Sequence, residues 1–415
     1  MGETYLKQCI SRPESEDGKG PNISYGASSV QGWRSTQEDA HICLPKFDKN
    51  ASLWAVFDGH NGAEVAQLAS KLLPNMILKN KNYKEGKYET ALQDSFMQFD
   101  DQLLELETVN KMISIRKQYT QVPIDRKNAP AVASGCTAIV VLIKDGIAYA
   151  ANLGDCRCIL SRKGRAYPLS SDHKPENTDE KSRIKNAGGQ IICGRINGGV
   201  NVSRAFGDHH YKGNTELPKK EQMIIALPDI KTEQLTSNDN FMVLICDGIW
   251  NTISVEEVVL YVNKRIPRVA VLSKICEEVF KQILPTTMPT HGIAGKDNMT
   301  FLIVKFEPNL INTNQVQKPN TTTNTAIKRT NSKDSVVSVQ PGGQTRVCLN
   351  VLKDDGTVVP LANPDNFAKV EINITLTNVE ESEPVEDIPE DSNQRVKKYR
   401  QTKDEEKEKK RKAKH

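Results

Sequence analysis

Carboxylates at the ends of short apolar runs constrain this chain more than any other feature. Asp58 closes LWAVFD, Asp155 follows GIAYAANLG, Asp247 closes FMVLICD, and Asp297 stands just ahead of MTFLIVKF. Glu38 and Asp39 add a further acidic position in RSTQEDAH. Apolar runs of this length, bounded by turn residues, read as buried strands. Each carboxylate is therefore held at the end of a sheet and aimed from a fixed point. Gly59 and Gly248 follow two of these acids and are expected to let the backbone turn sharply. A half-buried acid must be neutralised, paired or bound to a cation. Oxygen-only ligand sets suit hard divalent ions such as Mg²⁺ or Mn²⁺. The pattern predicts a hydrolase that holds two or more metal ions.

The rest of the chain narrows the setting. Its 415 residues accommodate one large domain plus extensions, and a hydrophobic content of 37% suffices for a core. No apolar stretch approaches the roughly 18 residues of a membrane span, and no signal-peptide core follows Met1. Met1-Gly2 opens like a myristoylation site, but Leu6 stands where Ser or Thr is wanted. The nine cysteines are scattered with no CxxC pair, which predicts reduced intracellular thiols and argues against a zinc site. Residues 395–415 carry 11 basic against 4 acidic side chains, leaving the remainder at −3 against the chain's overall +4. The near-neutral body offers no nucleic-acid surface. The basic end, KEKKRKAKH, is similar to a nuclear-import signal, so an import receptor or a polyanion is its expected partner and the cytoplasm or nucleus the expected location.

From 22 to 308 the pattern alternates strands and helices. Lys163-Gly164 marks a hairpin turn, and helical spacing follows His60 through Val65, Leu68, Ala69, Leu72 and Leu73. Further helices are expected over 89–107, 176–187 and 255–284, the last broken at Pro267. Hairpin-linked strands with helices arriving in pairs predict an α+β fold of antiparallel sheets covered by helices. Residues 1–21 read as an N-terminal extension and 309–345 as an Asn/Thr-rich linker. Residues 346–378 alternate like a small β segment, with Asp355-Gly356 as its turn. Residues 379–415 read as an acidic and then basic disordered tail, with seven acids and no base over 380–391.

Eight segments occur in order: RSTQEDAH, VFDGHNG, SGCTA, NLGDCR, SSDHKPE, GRINGGVNVSRAFGD, CDGIW and GKDNMT. Together they closely resemble the motifs of the metal-dependent type 2C Ser/Thr protein phosphatases, over nearly three quarters of the chain. The opening MGETYLKQCISRPESEDG and the segment YKEGKYETALQDSF are most similar to the gamma branch, although that branch's long acidic insertion is missing from 104–134. The resemblance implies a sandwich of two antiparallel sheets flanked by helices, with metals in a cleft between the sheets. It also implies hydrolysis of phosphoserine and phosphothreonine by a hydroxide bridging two Mn²⁺ or Mg²⁺ ions, with no phosphoenzyme, in a monomer acting on phosphoproteins. Residue by residue, it gives Asp58 as the bridging ligand and Asp247 and Asp297 as completing the first metal's shell. Glu38 and the Gly59 carbonyl serve the second metal, and Asp155 with Asp247 matches a weaker third site. Asp39 and Asn298 orient metal-bound water, Arg34 grips the phosphoryl oxygens, and His60 protonates the leaving oxygen.

Those residue types also make chemical sense by themselves. A phosphate monoester dianion repels an anionic nucleophile, so cations are needed on its oxygens. The guanidinium fork matches two phosphoryl oxygens, and alkoxides are poor leaving groups that need a general acid. Asn61 replaces a common Gly and is expected to cap the following helix, and Asn251 replaces a common Asp. Cys156 and Arg162 have the spacing of a cysteine phosphatase, but the segment between them reads as strand and turn, not as a phosphate cradle. Two rival readings remain: a catalytically dead docking module of the same fold, and a phosphoesterase for small molecules.

Overall fold

A computed structural model describes residues 5–119, 129–288 and 294–307, with the backbone of two short strands beyond. Two sheets dominate it, and every strand pair in them is antiparallel. One sheet runs in the order Arg165–Pro168, Arg157–Arg162, Asp239–Ile245, Met299–Phe306, Ile23–Val30, Glu14–Gly20. The other runs Asp229–Gln234, Ile147–Leu153, Gly135–Lys144, Ala51–His60, Ala40–Asp48, with Phe206–Gly207 paired to the strand at Gly135. Alternation along strand Ala51–His60 shows how the layers form. Trp54 and Val56 join the core shared by both sheets, whereas Leu53, Ala55 and Phe57 face the second core, under helices Glu64–Lys79 and Tyr88–Gln102. Helices Val255–Arg265 and Leu272–Ile283 cover the first sheet. The α+β sandwich flanked by helices is the architecture that the sequence predicts.

Local chemistry explains several boundaries and corrects others. Lys163 (φ 52°) and Gly164 (φ 74°) make the predicted turn with two left-handed residues, the arrangement that suits hairpin twist. The 255–284 helix divides as expected into Val255–Arg265 and Leu272–Ile283, the first opened by a capping box between Ser254 and Glu257. The 176–187 helix is Thr178–Asn186. The 89–107 helix instead ends at Gln102 and a separate helix, Leu106–Arg116, follows. Asn61 does not cap: its φ is +58°, its Nδ2 donates to the Ala133 carbonyl, and the Glu64–Lys79 helix has no side-chain N-cap bond. The segment read as an extension supplies two strands, Glu14–Gly20 at the edge of the first sheet and Tyr5–Ile10 against Gly32–Arg34. The chain divides into two compact units, Met1–Thr321 and Thr322–His415. In the second unit, strands Asn350–Leu352 and Val358–Pro360 pair antiparallel within the predicted β segment. The 309–345 linker and the 379–415 tail lie outside the described residues. No helix among the described residues is long and apolar enough to cross a membrane.

Candidate active site

Antiparallel register brings the acidic positions to one end of the sandwich. Asp58, near the end of Ala51–His60, pairs with Thr137 at the start of the next strand, and Ala40, just after Asp39, pairs with Phe57. Asp155 follows Leu153, which pairs with Ala138. From the other sheet, Asp247 follows Ile245, and Ile245 pairs with Phe301, three residues past Asn298. Acidic residues spread from Glu38 to Asp297 thus converge because neighbouring strands run in opposite directions. Neither Gly59 nor Gly248 has a left-handed φ: Gly59 continues its strand, whereas the chain passes from strand to helix at Asp247. Both are required by close approach: a Cβ on Gly59 would lie 2.3 Å from the Glu38 carbonyl oxygen, and one on Gly248 would lie 2.0 Å from that of Asn298.

The cleft there has a volume of about 570 Å³ and is lined by Arg34, Glu38, Asp58, Gly59, His60, Asp155, Asp247, Asp297 and Asn298. Asp39, the remaining predicted residue, lies behind Asp58, where its carboxylate and that of Asp58 come within 4.8 Å of the Cys246 thiol. Thr300 donates to Asp39 Oδ2 at 2.6 Å. Burial, with like charge from Asp297 and Glu38, pushes the Asp39 carboxyl up to about 7. Burial also raises Asp58, with repulsion from Asp247 and Asp39, and raises Asp247, with repulsion from Asp297 and Asp155. These acids are short of positive charge, and their oxygen donors are the set that divalent Mg²⁺ or Mn²⁺ prefers. The residues fit such ions.

Side chains around the acids have partners that the sequence does not reveal. Arg34 donates to Asp297 Oδ2 at 2.7 Å. Asp155, buried, forms an ion pair with Lys174, whose ammonium burial would depress but whose pKa the Asp155 charge holds above the usual value. The Trp250 indole donates to the Asp155 carbonyl at 2.9 Å. His60 Nε2 lies 2.7 Å from Asp208 Oδ2. Burial alone would lower His60, but the Asp208 carboxylate leaves its pKa raised. Asn298 commits its amide to the loop ahead of Glu38: Nδ2 donates to the Gln31 and Thr36 carbonyls at 2.8 and 3.0 Å, and Oδ1 accepts from the Glu38 amide at 3.0 Å. Tyr5 and Lys296 form one rim of the cleft, and Arg195, His210 and Tyr211 line another part. The Cys156 thiol is fully buried beside Thr137 at 3.2 Å, and burial pushes its pKa well up. That is a packed thiol and not a nucleophile.

The protein phosphatase 2C family model matches residues 23–287. The chain belongs to the protein phosphatase 2C family. Similar members include Probable protein phosphatase 2C 21 of Arabidopsis thaliana, 40% identical over 330 residues that cover 73% of this chain and 92% of that protein. Protein phosphatase 2C 1 of Paramecium tetraurelia is 41% identical over 304 residues, covering 72% of this chain and 98% of that one. Among solved structures, a phosphatase from Toxoplasma gondii overlays with a TM-score of 0.58 at 22% identity, covering 72% of this chain and 96% of that one. A serine-threonine phosphatase 2C from the same organism gives 0.55 at 17% identity, covering 74% of this chain and 99% of that one. At those identities the overlays show the fold alone. As a 2C phosphatase the chain is a serine/threonine phosphatase, from a family that is metal-dependent, generally with Mn²⁺ or Mg²⁺.

Of the surrounding residues, Asp208 lies in the GRINGGVNVSRAFGD motif, so its position is visible in the sequence although its role is not. Nothing in the sequence points to Lys174 as the partner of Asp155 or to Tyr5 at the cleft.

Proposed function

We propose that the cleft hydrolyses phosphoserine and phosphothreonine esters directly, without a phosphoenzyme. The observation that supports this most is the convergence of carboxylates from both sheets on a cleft that also holds Arg34 and His60. Glu38, Asp58, the Gly59 carbonyl, Asp247 and Asp297 would hold two Mn²⁺ or Mg²⁺ ions, and Asp155 with Asp247 a weaker third. When bound, such ions supply positive charge to the phosphoryl oxygens and bring the pKa of water toward neutrality. The protein's own groups do the rest. Arg34, steadied by Asp297, grips two phosphoryl oxygens with its planar fork. His60 hands a proton to the departing serine or threonine oxygen from Nδ1, since Nε2 faces Asp208. Asp39, fixed by Thr300, orients the attacking water. Asn298 acts differently from the role carried over by resemblance: its bonds to Gln31, Thr36 and Glu38 make it a tie that places Glu38.

The decisive experiment is hydrolysis of p-nitrophenyl phosphate by EDTA-stripped protein titrated with Mn²⁺ and with Mg²⁺, beside Asp247→Asn. Activity should return with metal in the wild type and stay absent in the variant. A folded wild type with no activity at any metal concentration would make the chain a docking module. Phosphopeptides turned over faster than nucleotides or sugar phosphates would set it apart from a small-molecule phosphoesterase.

A further inference from the structure

The open edge of the sandwich carries a second cluster of ligating side chains. Glu16 Oε1, a His41 ring nitrogen and the Cys43 sulfur lie within 4.8 Å of one another. Their strands belong to opposite sheets: Glu14–Gly20 is the edge of the first, and Ala40–Asp48 is the edge of the second. Register sends all three side chains toward the space between the sheets. Residues directly opposite in an antiparallel pair share a face. His41 is opposite Val56, Cys43 is opposite Trp54, and Glu16 is opposite Ala27, all members of the shared core. His41 and Cys43, two apart on one strand, therefore reach the same point from one side while Glu16 reaches it from the other. His41 Nε2 stands 3.0 Å from Glu16 Oε1, and the Cys43 sulfur lies within 4.8 Å of the same carboxylate. Glu16 is 46% exposed and His41 23%, so solvent and ions have access.

We propose that Glu16, His41 and Cys43 form a zinc site that fastens the two sheets at their open edge. One thiolate, one imidazole and one carboxylate are a ligand set that Zn²⁺ accepts with water in the fourth tetrahedral position. The thiolate favours zinc over the hard Mg²⁺ and Mn²⁺ of the cleft. On binding, the Cys43 S–H bond breaks, the sulfur's electron pair forms the S–Zn bond, and the proton passes to solvent. All three donors sit on strands, which hold a geometry more tightly than loops. The absence of CxxC argued against zinc only because motif spacing cannot see ligands supplied by separate strands.

The test uses the full chain with its cleft saturated with Mg²⁺, titrated with Co²⁺ as a spectroscopic stand-in and then with Zn²⁺. One equivalent of Co²⁺ should give intense visible bands of a tetrahedral ion and a near-ultraviolet thiolate charge-transfer band. Both should bleach when Zn²⁺ is added. His41→Ala keeps every cysteine, including Cys246 beside the cleft, and should bind Co²⁺ at least about tenfold more weakly. Glu16→Gln, at an exposed position, should weaken it similarly, and Cys43→Ser should remove the charge-transfer band. If Cys43→Ser does not fold, His41→Ala and Glu16→Gln carry the test. One equivalent of Zn²⁺ should also raise the Tm of the Mg²⁺-loaded wild type and not that of His41→Ala. No thiolate band in the wild type, or a band of equal strength in His41→Ala, would overturn the proposal.

Discussion

His60 Nε2 and Asp208 Oδ2 stand 2.7 Å apart although 148 residues separate them in the chain. Asp208 holds a left-handed backbone (φ 53°, ψ 35°) while almost fully buried. That conformation is uncommon outside glycine, and aspartate is among the few residues that tolerate it. The carboxylate fixes the ring and favours its charged form.

Asp208→Asn should therefore act through the leaving group. A general acid contributes roughly 10²–10⁴-fold when the leaving oxygen is basic, and nitrophenolate leaves without one. Turnover of a phosphoserine peptide is expected to fall by about tenfold or more, with turnover of p-nitrophenyl phosphate nearly unchanged. Equal losses on both substrates would mean that Asp208 only supports the fold.

Asp247→Asn should abolish catalysis and, without metal, make the protein more stable. Burial and repulsion from Asp297 and Asp155 raise the Asp247 pKa, and a tenfold change in an acid's affinity for its proton corresponds to about 1.4 kcal/mol. At alkaline pH in EDTA the variant is expected to melt above the wild type, a trade of stability for function common at active sites. Adding Mn²⁺ should reverse the order.

Wild-type stability should depend on pH in the same sense. An aspartate titrates near 3.9 when unfolded, whereas Asp39 is held up to about 7 in the fold. A raised carboxylate adds stability fully only below its unfolded pKa, and that stability is lost as pH rises through the folded value. The Tm of EDTA-treated protein is expected to fall between about pH 4 and about pH 7, and Mg²⁺ should flatten the slope. A metal-free Tm that rises over this window would contradict the crowding of acids.

Lys174→Ala leaves the buried Asp155 carboxylate without its cation. Removing one partner of a buried pair typically costs about 3–5 kcal/mol, and partial exposure of Lys174 puts this one at the lower end. Mn²⁺ should restore more of the lost Tm in this variant than it adds to the wild type, because an ion can take the place of the ammonium. Melting curves across a Mn²⁺ titration measure this directly.

Deleting 322–415 should leave p-nitrophenyl phosphate turnover unchanged. The Paramecium relative aligns over 98% of its own length with only 72% of this chain, and Met1–Thr321 is a compact unit by itself. Steady-state kinetics of the shortened chain provide the check.

The sequence shows some of these features and hides others for physical reasons. Asp58 and Asp247 are legible because an acid closing an apolar run marks a strand end, a local signal. The break after Gln102 is not, since no proline or glycine lies between Gln102 and Leu106. The partnerships of Asp208 with His60, Lys174 with Asp155, and Glu16 with His41 and Cys43 are hidden as well. Register and tertiary packing create them, and hydrophobic period carries no trace of which polar side chains will meet across it. The glycines beside Asp58 and Asp247 are conspicuous in the sequence, but their reason is not, because crowding by a neighbouring loop leaves no mark in local turn propensity.

Strands of the two sheets alternate along the chain: 14–30 in the first, 40–60 and 135–153 in the second, 157–168 back in the first, 229–234 in the second, then 239–245 and 299–306 in the first. No cut divides this polypeptide into one sheet and the other. A fragment ending anywhere between Asp58 and Gln234 would lack Asp247 and Asp297 and hold an incomplete version of both layers. Recombination, domain shuffling or a split-protein design can therefore move this module only whole. Halves cut there would have to rebuild both sheets before the acids could meet.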